Sequence, residues 1–144
     1  MDNAIHTYAG IQLRLACNEI MEAQGHGEEA GTAKLTPGFN LPAHFVLHTV
    51  GPIVRGGVTV RDREQLASCY RACLDLACVH GLRSLAFCCI STGEFHFPNE
   101  AAARIAVATV RAHARARNQR IRVIFNVFTE RDEAIYRCIL CEAD

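Results

Sequence analysis

Helical and strand-like segments alternate along this 144-residue chain, which predicts an α/β fold, a three-layer α/β/α arrangement around a mixed, largely parallel sheet. Three observations carry that expectation. Apolar residues recur at helical spacing in four stretches, and short apolar runs separate them. Those runs, among them Phe45-Val-Leu-His-Thr-Val50, are continuous rather than alternating, the pattern of strands covered on both faces. One run, from Ser84 to Ile90, passes straight into a small-residue turn and a helix start, at the strand end where open α/β sheets place their ligands.

From Asp2 to about Ala23 the residues Ile5, Tyr8, Ala9, Leu13, Ala16 and Ile20 keep helical spacing, and Gly25-His-Gly27 ends the run. One long helix or a broken pair fits. Residues 33–36 form a short strand, Pro37 and Pro42 bracket a turn, and residues 45–50 form a buried strand stopped by Gly51-Pro52. A flexible loop at Gly56-Gly57 leads to a helix over about 62–80 and a strand over 83–89. The next helix runs from about Pro98 to Arg117, with Pro98 at a first helical position and Glu100 in the first turn. A strand over 121–127 and a helix from about Glu130 to Cys141 complete the pattern. The chain opens on a helix, so the sheet is expected to lack its first strands, and Met1 is expected not to be the original start.

At 50% hydrophobic residues the chain can bury a core, most simply as one domain over residues 1–144. Fifteen basic residues balance fifteen acidic ones, so there is no basic field to hold a nucleic-acid backbone, and nucleic acid is not expected as a partner. No apolar run approaches the ~18 residues of a membrane span and no secretory leader is visible, so no membrane partner and a cytoplasmic location are expected. The eight cysteines sit mostly in apolar patterns and read as small buried hydrophobes. Cys138-Ile-Leu-Cys141 has no second pair to complete a ligand set, so it too reads as core.

Dinucleotide, NTPase, hydrolase-elbow and zinc-protease signatures are absent, which leaves Ser91-Thr-Gly-Glu-Phe-His-Phe97 as the segment that carries chemistry. Backbone N–H groups in a Ser-Thr-Gly turn point readily at a phosphate, and the unpaired N–H groups of the following helix add partial positive charge. Phe95 and Phe97 suit a flat group such as a ribose or a base. The implied ligand is a phosphorylated nucleotide, whereas a turn of this kind standing alone is more often plain connection chemistry.

Asp2-Asn-Ala-Ile-His-Thr-Tyr-Ala-Gly10, the segments 31–42 and 44–52, Ser68-Cys-Tyr70 and the segments 82–98 and 121–136 together resemble the macrodomain family, in its MacroD-like, zinc-dependent branch. The similarity covers nearly the whole chain and keeps order and spacing. It implies ADP-ribose as ligand and, for the full-length form, hydrolysis of mono-ADP-ribose from modified protein side chains. Carried over residue by residue, it makes Ser91, Thr92, Gly93, Glu94, Phe95 and His96 the loop that wraps the diphosphate and puts Phe97 on the ribose. Phe128 matches the aromatic that stacks on adenine, although composition alone would make it a core aromatic. Asn126 shares its side of the strand by alternation.

Asp2 matches the aspartate that positions the water attacking the anomeric carbon; without the resemblance it is an ordinary helix cap. His6 and His48 read as structural. His96 stands where many relatives have glycine, so a changed backbone angle and phosphate approach are expected, and the Glu94 side chain is expected to face solvent. The resemblance also implies a catalytic zinc, with ligands upstream of Asp2 and none within this chain. Two further readings stay open: a module that binds ADP-ribose without cleaving it, and an inactive truncated piece.

Overall fold

The computed structural model describes residues 2–117 and 121–142. Its elements follow the order α1 (Asp2–Ala9), α2 (Ile11–Gln24), β1 (Ala33–Pro37), β2 (Phe45–Thr49), α3 (Val60–Val79), β3 (Ser84–Phe87), α4 (Asn99–Ala116), β4 (Arg122–Phe125) and α5 (Glu130–Cys141). The first helical run is the broken pair. Gly10 takes φ 88° between α1 and α2, a left-handed angle that a helix cannot continue through, and Gly25 at φ 74° closes α2 with its N–H on the Met21 carbonyl.

α3 begins two residues earlier than its apolar pattern suggests because Thr59 and Asp62 form a reciprocal cap. The Thr59 hydroxyl accepts from the Asp62 amide at 3.1 Å, and the Asp62 carboxylate accepts from the Thr59 amide at 2.8 Å. Pro98 precedes α4 as its cap rather than its first residue. The small residues Ala102, Ala103 and Ala106 let α4 lie close on α3 and α5.

Pairing differs from the expected single sheet. β1 and β2 pair antiparallel, Ala33 opposite Thr49, while β3 and β4 pair parallel, Ser84 opposite Arg122 and Phe87 opposite Phe125. Among the described residues the strands therefore form two separate two-stranded sheets, one antiparallel and one parallel.

The second ladder also corrects the expectation of strands covered on both faces. Leu85 and Phe87 are buried and Val123 and Phe125 half-buried, whereas Ser84, Ala86, Arg122 and Ile124 are exposed. The covered face meets the helices through rings: Tyr70 of α3 lies 4.9 Å from Phe87, and Tyr136 of α5 lies 5.0 Å from Phe125. Around them Leu66, Cys69, Cys73, Leu74, Ala106, Val107 and Ile139 complete the core. Cysteines divide accordingly. Cys69 and Cys73 are core residues, but Cys138 and Cys141 are exposed, because they fall on the outer side of α5, away from the buried Asp132, Tyr136 and Ile139.

Candidate functional site

Parallel register sets the site. With Phe87 opposite Phe125, the carboxyl ends of β3 and β4 leave the sheet side by side, so the loop after β3 and residues 126–128 after β4 emerge at one edge. The Asn126 amide fastens that edge by donating to the Phe87 carbonyl at 2.7 Å.

The loop is closed by its own hydrogen bonds. Phe97 N–H donates to the Ser91 carbonyl at 2.9 Å, His96 N–H to the Gly93 carbonyl at 3.0 Å, and the Thr92 hydroxyl to the Cys89 carbonyl at 3.1 Å. Val54, in the segment after β2, donates its N–H to the Phe95 carbonyl at 2.9 Å. Among the described residues the amides of Gly93, Glu94 and Phe95 have no protein acceptor. Three successive free N–H groups in the loop that leads into α4 have the polarity for an anion. The Glu94 side chain is exposed, so its charge faces water.

Two non-glycine residues of the loop are left-handed, Ser91 at φ 65° and His96 at φ 57°. His96 thus takes a left-handed angle that glycine reaches without strain, with its ring exposed. Ser91 contributes backbone rather than hydroxyl. Its Oγ is buried without a partner, turned against Gly51, where an added Cβ would lie 2.1 Å from that oxygen. Phe97 also departs from expectation. Its side chain is 1% exposed in the core cluster, so it anchors the end of the loop and offers no ring surface to a ribose. Phe95 is half-buried.

Phe128 is 95% exposed, which removes the core reading of that ring. Exposure alternates from Arg122 to Phe128 and continues past the end of β4 at Phe125, so Ile124, Asn126 and Phe128 share the open side.

Asp2 lies in the first turn of α1 with its side chain 82% exposed, and its Oδ1 is 3.6 Å from Nε2 of His6, one turn on. No bond joins it to the loop among the described residues. His6 is largely buried and its Nδ1 has no partner. Thr36 Oγ1 lies 2.9 Å from His48 Nε2, and Cys17 Sγ lies 3.9 Å from the same nitrogen. Burial, and next the neighbouring His6, lower the His48 pKa against an opposing pull from Asp2; burial, and next Asp2, raise that of Cys17. Under the sheet edge, burial pushes Cys89 up to about 11, with the Asp132 charge adding to it. Both thiols are thereby held protonated, unsuited to attack.

Among the described residues no three His, Cys, Asp or Glu side chains come together as a metal site, so the zinc that the resemblance implies finds no ligand set here and no step below passes through it. No described helix is long and apolar enough to cross a membrane.

Sequence reasoning missed the groups that brace the site. Gly51 and Val54 act through backbone, which no side-chain pattern reveals. Asn99 donates to Asp132 at 2.6 Å across 33 residues of sequence; only the Thr129-Asp132 half of that network is visible as a cap pattern.

The Macro domain family matches residues 1–106, and the chain belongs to that family. It is 55% identical over 140 residues to a protein-ADP-ribose hydrolase from Treponema medium, covering 97% of this chain and 54% of that protein. A protein-ADP-ribose hydrolase from Staphylococcus aureus strain MSSA476 is 50% identical over 138 residues, covering 95% of this chain and 52% of its own length. The chain thus spans about half the length of these relatives. The Oceanobacillus iheyensis macrodomain solved with ADP superposes with a TM-score of 0.90 at 40% identity, over 96% of this chain and 73% of that one. A Trypanosoma brucei macrodomain in complex with ADP gives 0.83 at 37%, over 96% and 55%.

Proposed function

We propose that this chain binds ADP-ribose, with the diphosphate on the free amides of Gly93, Glu94 and Phe95 and adenine on Phe128, and that it is part of a protein-ADP-ribose hydrolase. What supports the reading is the parallel β3–β4 register, by which the chain leaves both strands at one edge, in a chain 55% identical to a hydrolase of that name. A ring 95% exposed has its face available for stacking on a base.

In the proposed reaction Asp2 holds a water against the anomeric carbon of the ribose. The water oxygen bonds to that carbon as the bond to the protein side chain breaks, one water proton passes to the departing side-chain atom, and ADP-ribose and an unmodified protein are released. An exposed carboxylate can orient and deprotonate a water without itself being consumed.

Calorimetric titration with ADP-ribose, using AMP and ribose 5-phosphate as controls, tests the binding half of the proposal. Saturable binding selective for ADP-ribose supports it, and no heat from a folded sample refutes it. Release of ADP-ribose from a mono-ADP-ribosylated protein tests the catalytic half. Asp2→Ala is expected to abolish turnover with little change in ADP-ribose affinity, and unchanged turnover sinks the assignment of Asp2. A second reading, a module that binds without cleaving, is favoured by one observation: Asp2 makes no described contact with the loop. Saturable binding without release of ADP-ribose would select it.

A further inference from the structure

Asp132 is the only charged residue among those described that is buried, at 8% exposure. A carboxylate is costly to bury unless its oxygens are bonded, and packing alone at this position would be served as well by an apolar side chain. Both oxygens are used. Asn99 Nδ2 donates to Oδ1 at 2.6 Å, and the Thr129 hydroxyl donates to Oδ2 at 2.8 Å while accepting from the Asp132 amide at 3.1 Å.

The Thr129–Asp132 exchange by itself caps α5. The bond from Asn99 does something a cap does not need. Asn99 is the first residue of α4, two positions after the core anchor Phe97 that ends the loop, and Thr129 directly follows Phe128. The network therefore joins the exit of the anion loop to the base of the exposed ring through side chains that leave the buried carboxylate no slack.

We propose that Asn99, Asp132 and Thr129 form a clamp that fixes the separation between the loop and Phe128, making them positioning residues that select ligands long enough to engage both. This rests on the ADP-ribose reading above. A ligand with two recognition groups gains from the second only if the two subsites are held at the matching span, and a ligand with one group is indifferent to that span. Loss of the clamp should then penalise the whole ligand and spare its parts, whereas a purely structural tie between α4 and α5 would lower thermal stability without changing the order of affinities.

The experiment is calorimetric titration of the 144-residue chain, Asn99→Ala and Asp132→Asn with ADP-ribose, AMP and ribose 5-phosphate, with a thermal melt of each. Asn99→Ala is expected to weaken ADP-ribose about tenfold and each fragment by less than about threefold. Asp132→Asn keeps an oxygen acceptor for Asn99 and is expected to stay within about threefold for all three ligands. If Asn99→Ala fails to fold, Asn99→Ser, whose shorter side chain cannot reach Oδ1, serves in its place. Equal losses on all three ligands, or undiminished ADP-ribose affinity in a folded variant, would overturn the clamp alone. An unaltered chain that binds none of the three would overturn the ADP-ribose reading and the clamp with it.

Discussion

Replacing Gly51 by alanine would place a methyl group 2.1 Å from Ser91 Oγ and 2.7 Å from Ile90 Cγ2. Rotating the Ser91 hydroxyl away relieves the first contact but not the second, so backbone must move. Bringing the remaining contact with Ile90 Cγ2 to an ordinary 3.4 Å requires a displacement of about 0.7 Å, the difference between that distance and 2.7 Å. A shift of that size at Ser91 stretches the 2.9 Å bond from Phe97 N–H beyond hydrogen-bond range. Overpacking of this kind costs about 1–3 kcal/mol. For a chain of this length that lowers the melting temperature by roughly 2–12 °C. On the proposed reading, in which the loop opened by Ser91 holds the diphosphate, the affinity for ADP-ribose should fall at least about tenfold, equivalent to about 1.4 kcal/mol. Differential scanning calorimetry and isothermal titration of Gly51→Ala measure the two effects. A variant that melts and binds like the unaltered chain would refute the argument that the segment after β2 holds the loop in shape.

Phe128→Ala should separate binding from folding. The ring is 95% exposed, so the melting temperature should hardly change, while loss of stacking costs about 1–3 kcal/mol of ADP-ribose affinity. A variant with undiminished affinity would remove Phe128 from the site. His48 should make stability depend on pH. Burial and His6 lower its folded pKa, so the unfolded chain binds the extra proton. The stabilisation is complete above the unfolded value near 6.5 and is lost as pH falls below it toward the folded pKa. Urea midpoints should drop with acid through that window and less steeply in His48→Gln; equal slopes would contradict the linkage. Thiol reactivity should follow position. In the native chain Cys138 and Cys141 are exposed and should react fast with a thiol reagent, while Cys73, held at about 12 by burial, should react only on unfolding. Rapid modification of Cys73 before unfolding would contradict this assignment.

Much of the fold could be read from the sequence because it depends on local pattern. Helical spacing located α2 to α5, and the Gly10 break was one of the two forms that the first run allowed. What could not be read is which face of a strand the protein covers. Ala86 and Ile124 are as apolar as Leu85 and Val123, yet the first two are exposed and the others packed, because coverage is decided by which helices lie above the ladder. Pairing direction was legible only in part: the connection over 38–44 is too short for a parallel crossover and points to antiparallel β1 and β2, whereas β3 and β4, separated by α4, pair parallel. The site shows the same division. The loop from Ser91 to His96 and the exposed Phe128 were visible as motif positions, but the direction of a side chain was not. Phe97 turns into the core and Ser91 against Gly51 for reasons of packing that a motif does not encode. The bond from Asn99 to Asp132 spans 33 residues and exists only once α4 and α5 are docked.

The ring closed by the bond from Phe97 N–H to the Ser91 carbonyl is made wholly of protein groups, and its far end is a phenyl side chain locked in the core. Its backbone is restricted when the chain folds. The entropy of holding two residues in left-handed angles is therefore lost once per molecule, at folding, and not again at each encounter with a ligand. A cradle of this construction offers little induced fit. If it holds the diphosphate as proposed, it should discriminate by rejecting phosphates that do not fit the fixed loop, and a destabilised core should blunt that discrimination before it abolishes binding.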